Sequence, residues 1–188
     1  LSLMDQEGNA IVSTQTINGW FGSKIVAEDT GIMLNNEMDD FSAKVGASNL
    51  FGATSLSSAN QIEPGKTPLS SMSPTLIFEG KQPVLALGAP GGTRIITSVA
   101  QTILNYLVFK KSLFESVAAF RIHQQWSPDE LKIENQAVPE SLLKSLSAKG
   151  WSIRRTPNES HIMAVAREGK VLRGVSDPRD AGTSAGGH

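Results

Sequence analysis

Apolar and polar positions alternate along this chain in short blocks, and most blocks end at turns carrying Gly, Asn or Pro. Leu1 to Met4 and Ala10 to Ile17 are β-prone runs bridged by Asp5-Gln6-Glu7-Gly8-Asn9, so they read as a hairpin. Gly31 to Leu34 reads as another strand, and Thr75 to Phe78 with Val84 to Leu87 as a second hairpin around Glu79-Gly80-Lys81-Gln82. Ile95, Ile96, Val99, Ile103 and Leu107 recur at helical spacing over Thr93 to Val108. Ser112-Leu113-Phe114-Glu115 has the order of a capping box and starts a helix to about Arg121. Pro139, a face of Leu142, Leu143 and Leu146, and a closing Gly150 mark a further helix. Trp151 to Arg155, His161 to Ala166 and Val171 to Val175 complete the sheet, the last two joined through Arg167-Glu168-Gly169-Lys170. Asp39 to Asn60 is rich in Ser, Ala, Gly and Asn without periodicity, and a loop of that length in a compact domain is usually functional or mobile. The alternation predicts a single α+β domain over residues 1–188, with residues 180–188 as a flexible tail.

Composition narrows the function classes. With 17 Lys plus Arg against 18 Asp plus Glu, the chain has no electrostatic footprint for nucleic acid or an anionic membrane. Absence of Cys excludes a disulfide framework, a thiol nucleophile and a Cys-ligated metal within the chain. No apolar run reaches the roughly 18 to 20 residues of a spanning helix, the segment Ile103 to Phe109 being interrupted by Asn105. The start has neither a basic segment nor a long apolar one, so any export signal is expected upstream, as in the C-terminal half of a longer precursor. No Gly-Lys-Thr or Gly-x-Gly-x-x-Gly sequence suggests a nucleotide, and no cofactor is implied. Neither Ser70 nor Ser71 sits in a Gly-x-Ser-x-Gly elbow, and His123, His161 and His188 lack triad-like context, which argues against a serine hydrolase.

Three segments carry the chemistry. These are Gly31-Ile32-Met33-Leu34-Asn35-Asn36-Glu37-Met38-Asp39-Asp40-Phe41-Ser42, Pro68-Leu69-Ser70-Ser71-Met72-Ser73-Pro74 and Gly88-Ala89-Pro90-Gly91-Gly92-Thr93-Arg94. Each joins apolar residues to a turn dense in small, amide or acidic side chains, as when a scaffold presents polar groups to a ligand. In this order they resemble the small catalytic subunit of a γ-glutamyltransferase, and the resemblance runs from Leu1 to about Arg179. It implies the four-layer αββα sandwich of the N-terminal nucleophile hydrolases, completed by a large subunit cut from the same precursor by autocatalytic cleavage. The family's nucleophile, the first threonine of a Thr-Thr-His start, is expected immediately upstream of Leu1.

Roles for individual residues come from matching positions. Thr16, in the second strand and on one face with Thr14, matches the threonine whose hydroxyl bonds to the nucleophile, although threonine is also simply a good strand residue. Clustered carboxylates attract an ammonium group, and the match assigns Glu37 and Asp40, with Asn18 at the strand's end, to the donor's α-ammonium. A solvated acidic loop is the alternative for that cluster. Ser70 and Ser71 match the α-carboxylate site, where an arginine of the large subunit supplies the charge. Gly91 and Gly92 precede a helix and match the oxyanion hole. His123, in Arg121-Ile122-His123-Gln124-Gln125-Trp126, is read as a packing and hydrogen-bonding group. Phe51 stands where many bacterial relatives carry a lid tyrosine, and it cannot donate a hydroxyl to Asn18.

The resemblance implies transfer and hydrolysis of γ-glutamyl groups from glutathione and other γ-glutamyl amides to water or to acceptor amino acids and peptides. It also implies a periplasmic or secreted location, with no metal. A poly-γ-glutamate depolymerase or acylase of the same superfamily is the second enzymatic reading, and an inactive homologue or structural fragment the third.

Overall fold

Turn chemistry sets the first reversal of the chain. In a computed structural model that describes residues 1–187, the Asp5 carboxylate accepts from the Asn9 backbone N–H (2.8 Å) and from Asn9 Nδ2 (2.7 Å). That turn pairs β1 (Ser2–Met4) antiparallel with β2 (Ala10–Val12), Leu3 opposite Ile11. The hairpin matches expectation, but β2 stops at Val12, well short of Ile17.

The chain divides into two compact units, residues 1–14 with 71–188, and residues 15–70. The larger unit is built on a four-stranded antiparallel sheet in the order β3-β4-β8-β9, from β3 (Thr75–Glu79), β4 (Gln82–Gly88), β8 (Met163–Glu168) and β9 (Val171–Ser176). β4 and β8 are central, and their near-continuous apolar runs follow from burial on both faces. Leu85 and Leu87 of β4, with Ala164 and Ala166 of β8, meet Ile95 and Val99 of α1 (Arg94–Ile103) and Leu113 and Val117 of α2 (Leu113–Ala118). On the opposite face lies the β1-β2 hairpin, where Ser2 Oγ donates to the Met163 carbonyl (2.9 Å) and Gly88 leaves room for Val12 and Thr14.

Ser112 caps α2 in the expected box: its hydroxyl accepts from the Glu115 N–H (3.2 Å), and Glu115 accepts from the Ser112 N–H (2.9 Å). The helix ends at Ala118, before the expected Arg121. After α1 the chain widens into a π turn, Leu104–Val108. Of the expected apolar stripe, Ile95 and Val99 are buried and Ile103 and Leu107 half-buried, while Ile96 is exposed.

A second sheet departs from the sequence reading. β5 (Ile122–Gln125), β6 (Glu130–Glu134) and β7 (Ile153–Thr156) form it, with β6 and β7 parallel across α3 (Glu140–Ala148). β7 therefore does not join the main sheet as expected. Its neighbours carry a polar interior in which Arg121 and Arg179 ion-pair with Glu134 and Asp177, all with nearly fully buried side chains. Asp180 begins the expected tail; within it Gly182 N–H donates to Asp180 (2.9 Å), and His188 lies outside the described residues. Among the described residues no helix is long and apolar enough to cross a membrane.

Residues 15–70 contain little regular structure. Gly31 to Leu34 is not a strand; within it Met33 makes an isolated antiparallel bridge with Val26. Short 3-10 turns, Glu37–Asp40 and Ser58–Asn60, punctuate the rest.

Candidate active site

The acidic cluster sits on the 3-10 turn Glu37–Asp40, and three residues per turn eclipse side chains i and i+3. Glu37 and Asp40 thus share one side of the turn, while Asp39 points elsewhere and accepts from Asn36 Nδ2 (2.8 Å). Asp40 is only 7% exposed. Its carboxylate accepts from Asn18 Nδ2 (3.1 Å) and has no cationic partner among the described residues. Burial pushes its pKa above the ordinary 3.8, opposed by the Asn18 hydrogen bond and reinforced by the Asp39 charge. Glu37 is likewise raised above 4.5, by burial first and then by Asp40. Two carboxyls held against their own desolvation are poised for a cation.

Asn18 is placed by backbone geometry. It adopts φ 77°, a left-handed conformation that asparagine tolerates. Its N–H donates to Thr16 Oγ1 (2.8 Å), and its amide is shared between the Asn36 carbonyl (3.0 Å) and Asp40. Thr16 lies in irregular backbone rather than on a strand face with Thr14, because the strand pairing ends at Val12.

An amide framework, only partly legible in the sequence, supports this cluster. Asn36 Oδ1 accepts from the Gly19 N–H (2.8 Å), and Asn49 Nδ2 (3.1 Å) and Asn60 Nδ2 (2.8 Å) both donate to the Asp40 carbonyl. Asn49 Oδ1 also accepts from the N–H groups of Phe51 (3.0 Å) and Ala53 (2.9 Å), and the Leu50 N–H donates to the Asp39 carbonyl (2.9 Å). The turn bearing Phe51 is thereby tied to the acidic turn. Asn residues dense in an aperiodic segment were the available signal. Ser70 is exposed and Ser71 half-buried, in backbone without regular structure ahead of β3, with the Ser71 carbonyl accepting from Ser73 Oγ (3.0 Å).

In the larger unit, Gly91 (φ 137°) and Gly92 (φ 56°) lead directly into α1. A Cβ at Gly91 would lie 2.8 Å from the Ser160 Cβ and 2.9 Å from the Glu159 carbonyl oxygen, so the position admits only glycine. Free N–H groups at a helix N-terminus suit an anion. His123 is a buried structural group, bonded through Nδ1 to Thr97 Oγ1 (2.9 Å) and through Nε2 to Gln125 Oε1 (2.8 Å), and burial holds its pKa below 6.5.

The fold is α+β, of the N-terminal nucleophile hydrolase type. The gamma-glutamyltranspeptidase family profile matches residues 1–187, and the chain belongs to that family. It is 42% identical over its full length to the glutathione hydrolase proenzyme of Escherichia coli K12, covering 32% of that protein. Over 87% of its length it is 43% identical to the glutathione hydrolase proenzyme of Pseudomonas sp. A14, covering 28% of that protein. The chain thus spans about a third of the length of the curated relatives it matches. A crystal structure of a Helicobacter pylori gamma-glutamyltranspeptidase mutant superposes with a TM-score of 0.91 at 42% identity, with 96% of this chain and 98% of that chain covered.

Proposed function

We propose that this chain is the small catalytic subunit of a γ-glutamyltransferase that transfers and hydrolyses γ-glutamyl groups from glutathione and related amides. The observation that carries the reading is the buried Asp40 carboxylate, bonded to Asn18 and aligned with Glu37, with no cation of its own among the described residues. An α-ammonium group supplies the missing charge, and bonds to both carboxylates and to Asn18 orient the donor. Ser70 and Ser71 bind its α-carboxylate, together with an arginine of the large subunit, and Phe51 covers the donor. The nucleophile is a threonine immediately upstream of Leu1, oriented by Thr16.

In the reaction the threonine hydroxyl adds to the γ-carbonyl, its proton passing to the α-amine of the same residue. The N–H groups of Gly91 and Gly92 hold the resulting oxyanion, each donor being worth about 3 kcal/mol in the transition state. Collapse expels the protonated amine and leaves a γ-glutamyl ester, which water or an acceptor amine then cleaves. The large subunit's place on this chain is supported by apolar surface left open: Leu3 and Ile11 on the hairpin, and Ile96, Leu104, Val108 and Phe109 along α1 and its π turn. A periplasmic or secreted location belongs to the same reading.

The test is expression of the complete precursor and assay of γ-glutamyl anilide cleavage with and without an acceptor dipeptide. Release of the aniline, increased by acceptor and lost in Asp40→Ala, is the expected result. A processed, folded protein that cleaves no γ-glutamyl amide refutes the reading.

A further inference from the structure

The turn carrying Gly91 and Gly92 does not stand alone. The segment Glu159–Ser160, between β7 and β8, forms its floor: the Gly91 Cα faces the Ser160 Cβ and the Glu159 carbonyl so closely that no side chain fits between. Arg94, the first residue of α1, ion-pairs with Glu159. A cation at a helix N-terminus opposes the helix dipole, so this arginine does not serve helix stability. The far side of the segment is anchored in the buried ion cluster, where Arg121 Nη1 donates to the Ser160 carbonyl (2.7 Å) and the Ile162 N–H donates to Asp177 Oδ2 (2.8 Å). A rigid charged core, a short strap and a glycine turn therefore form one mechanical series.

The geometry points to Glu159 and Arg94 as positioning residues for the oxyanion turn, holding the Gly91 and Gly92 N–H groups in catalytic register through the strap at Glu159–Ser160. This rests on the reading of those glycines as the oxyanion hole. Neither residue touches the reacting atoms; the pair fixes the angle at which the turn leaves the strap. The Glu159 side chain is 42% exposed, so the ion pair contributes little to folding, while a displacement of about 1 Å at a catalytic group can cost about a hundredfold in rate.

The experiment uses the complete processed enzyme with Glu159→Gln, Arg94→Gln and the double variant, with rates expressed per active site titrated by a covalent γ-glutamyl analogue. Glu159→Gln should lower kcat per site about tenfold or more with the donor KM within about twofold, and should weaken a γ-boronate analogue of glutamate by the same factor as kcat. The melting temperature should move by no more than about 2–4 °C. Because the pair acts as a unit, the double variant should be no worse than the poorer single. Unchanged kcat per site, or multiplicative effects of the two substitutions, overturns the inference. Gly92→Ala separates the layers. If it weakens kcat and boronate binding while the Glu159 and Arg94 variants do not, the oxyanion reading survives and the strap role falls; if it leaves both intact, the oxyanion reading fails and takes the strap role with it.

Discussion

Asp40 offers the sharpest contrast between an ammonium site and a solvated acidic loop, because removing its charge should have opposite effects on substrate binding and on stability. A buried carboxylate that loses its counter-ion, or an ammonium that loses its carboxylate, costs about 3–5 kcal/mol, whereas an exposed pair is worth about 0–1. Asp40→Ala should therefore reduce kcat/KM for a γ-glutamyl anilide by about two to four orders of magnitude. Asp39→Ala should change it less than about fivefold, since Asp39 is exposed and turned toward Asn36. Without donor, the sign reverses. Burial raises the Asp40 pKa above 3.8, so between 3.8 and the raised value the folded state keeps a proton that the unfolded chain releases. Stability falls as pH rises through that window, and the cost is fully present at neutral pH. Asp40→Asn removes the cost, keeps a partner for Asn18, and should leave the unliganded enzyme at least as stable while abolishing donor binding. Steady-state kinetics from pH 4 to 8 and thermal melts decide the matter. The acid limb of kcat/KM assigned to Asp40 should lie above 3.8 in the native enzyme, and the matching fall in stability with rising pH should be absent from the melts of Asp40→Asn. Equal, small kinetic losses for Asp39→Ala and Asp40→Ala would refute the ammonium assignment.

Phe51→Tyr should add a hydroxyl able to bond Asn18, favour the closed lid up to about tenfold from one net hydrogen bond, and lower hydrolysis relative to transfer; an identical effect in an Asn18→Ala background would show the two side chains to be uncoupled. Asp177→Asn leaves Arg121 and Arg179 with Glu134 as their one remaining buried carboxylate and should lower stability by about 3–5 kcal/mol, read as a fall in melting temperature. Burial raises the Asp177 pKa, but the Arg121 charge and the hydrogen bonds outweigh it and hold the group below 3.8; its contribution is complete above 3.8 and lost as pH falls through the folded value, so Asp177→Asn should flatten the acid limb of a melting-temperature profile. Expressed without the proposed large subunit, the chain should bind a hydrophobic dye or aggregate through the open α1 and hairpin faces, and a soluble, cooperatively melting monomer would count against the subunit assignment.

The sequence alone determined the features in which neighbours along the chain do the work. The Asp5–Asn9 and Glu79–Gln82 turns, the Ser112–Glu115 capping box and the limits of α3 all depend on local turn geometry or hydrophobic period, and they appear where they were read, while β8 lies about two residues beyond the expected His161 to Ala166. The residues of the proposed donor site are assigned only through family resemblance, since nothing in local pattern distinguishes Asp40 from Asp39. Tertiary structure decided that difference: the 3-10 turn eclipses Asp40 with Glu37, and Asn18, Asn49 and Asn60 reach it from distant positions. It also decided β5 and β6. Glu130 to Glu134 alternates as a strand should, but Arg121, His123 and Glu134 reverse the usual rule by lying inside, satisfied by partners up to 56 residues away. Period and propensity register a side chain's own hydrophobicity, whereas burial of a charge depends on which opposite charge the fold brings to it.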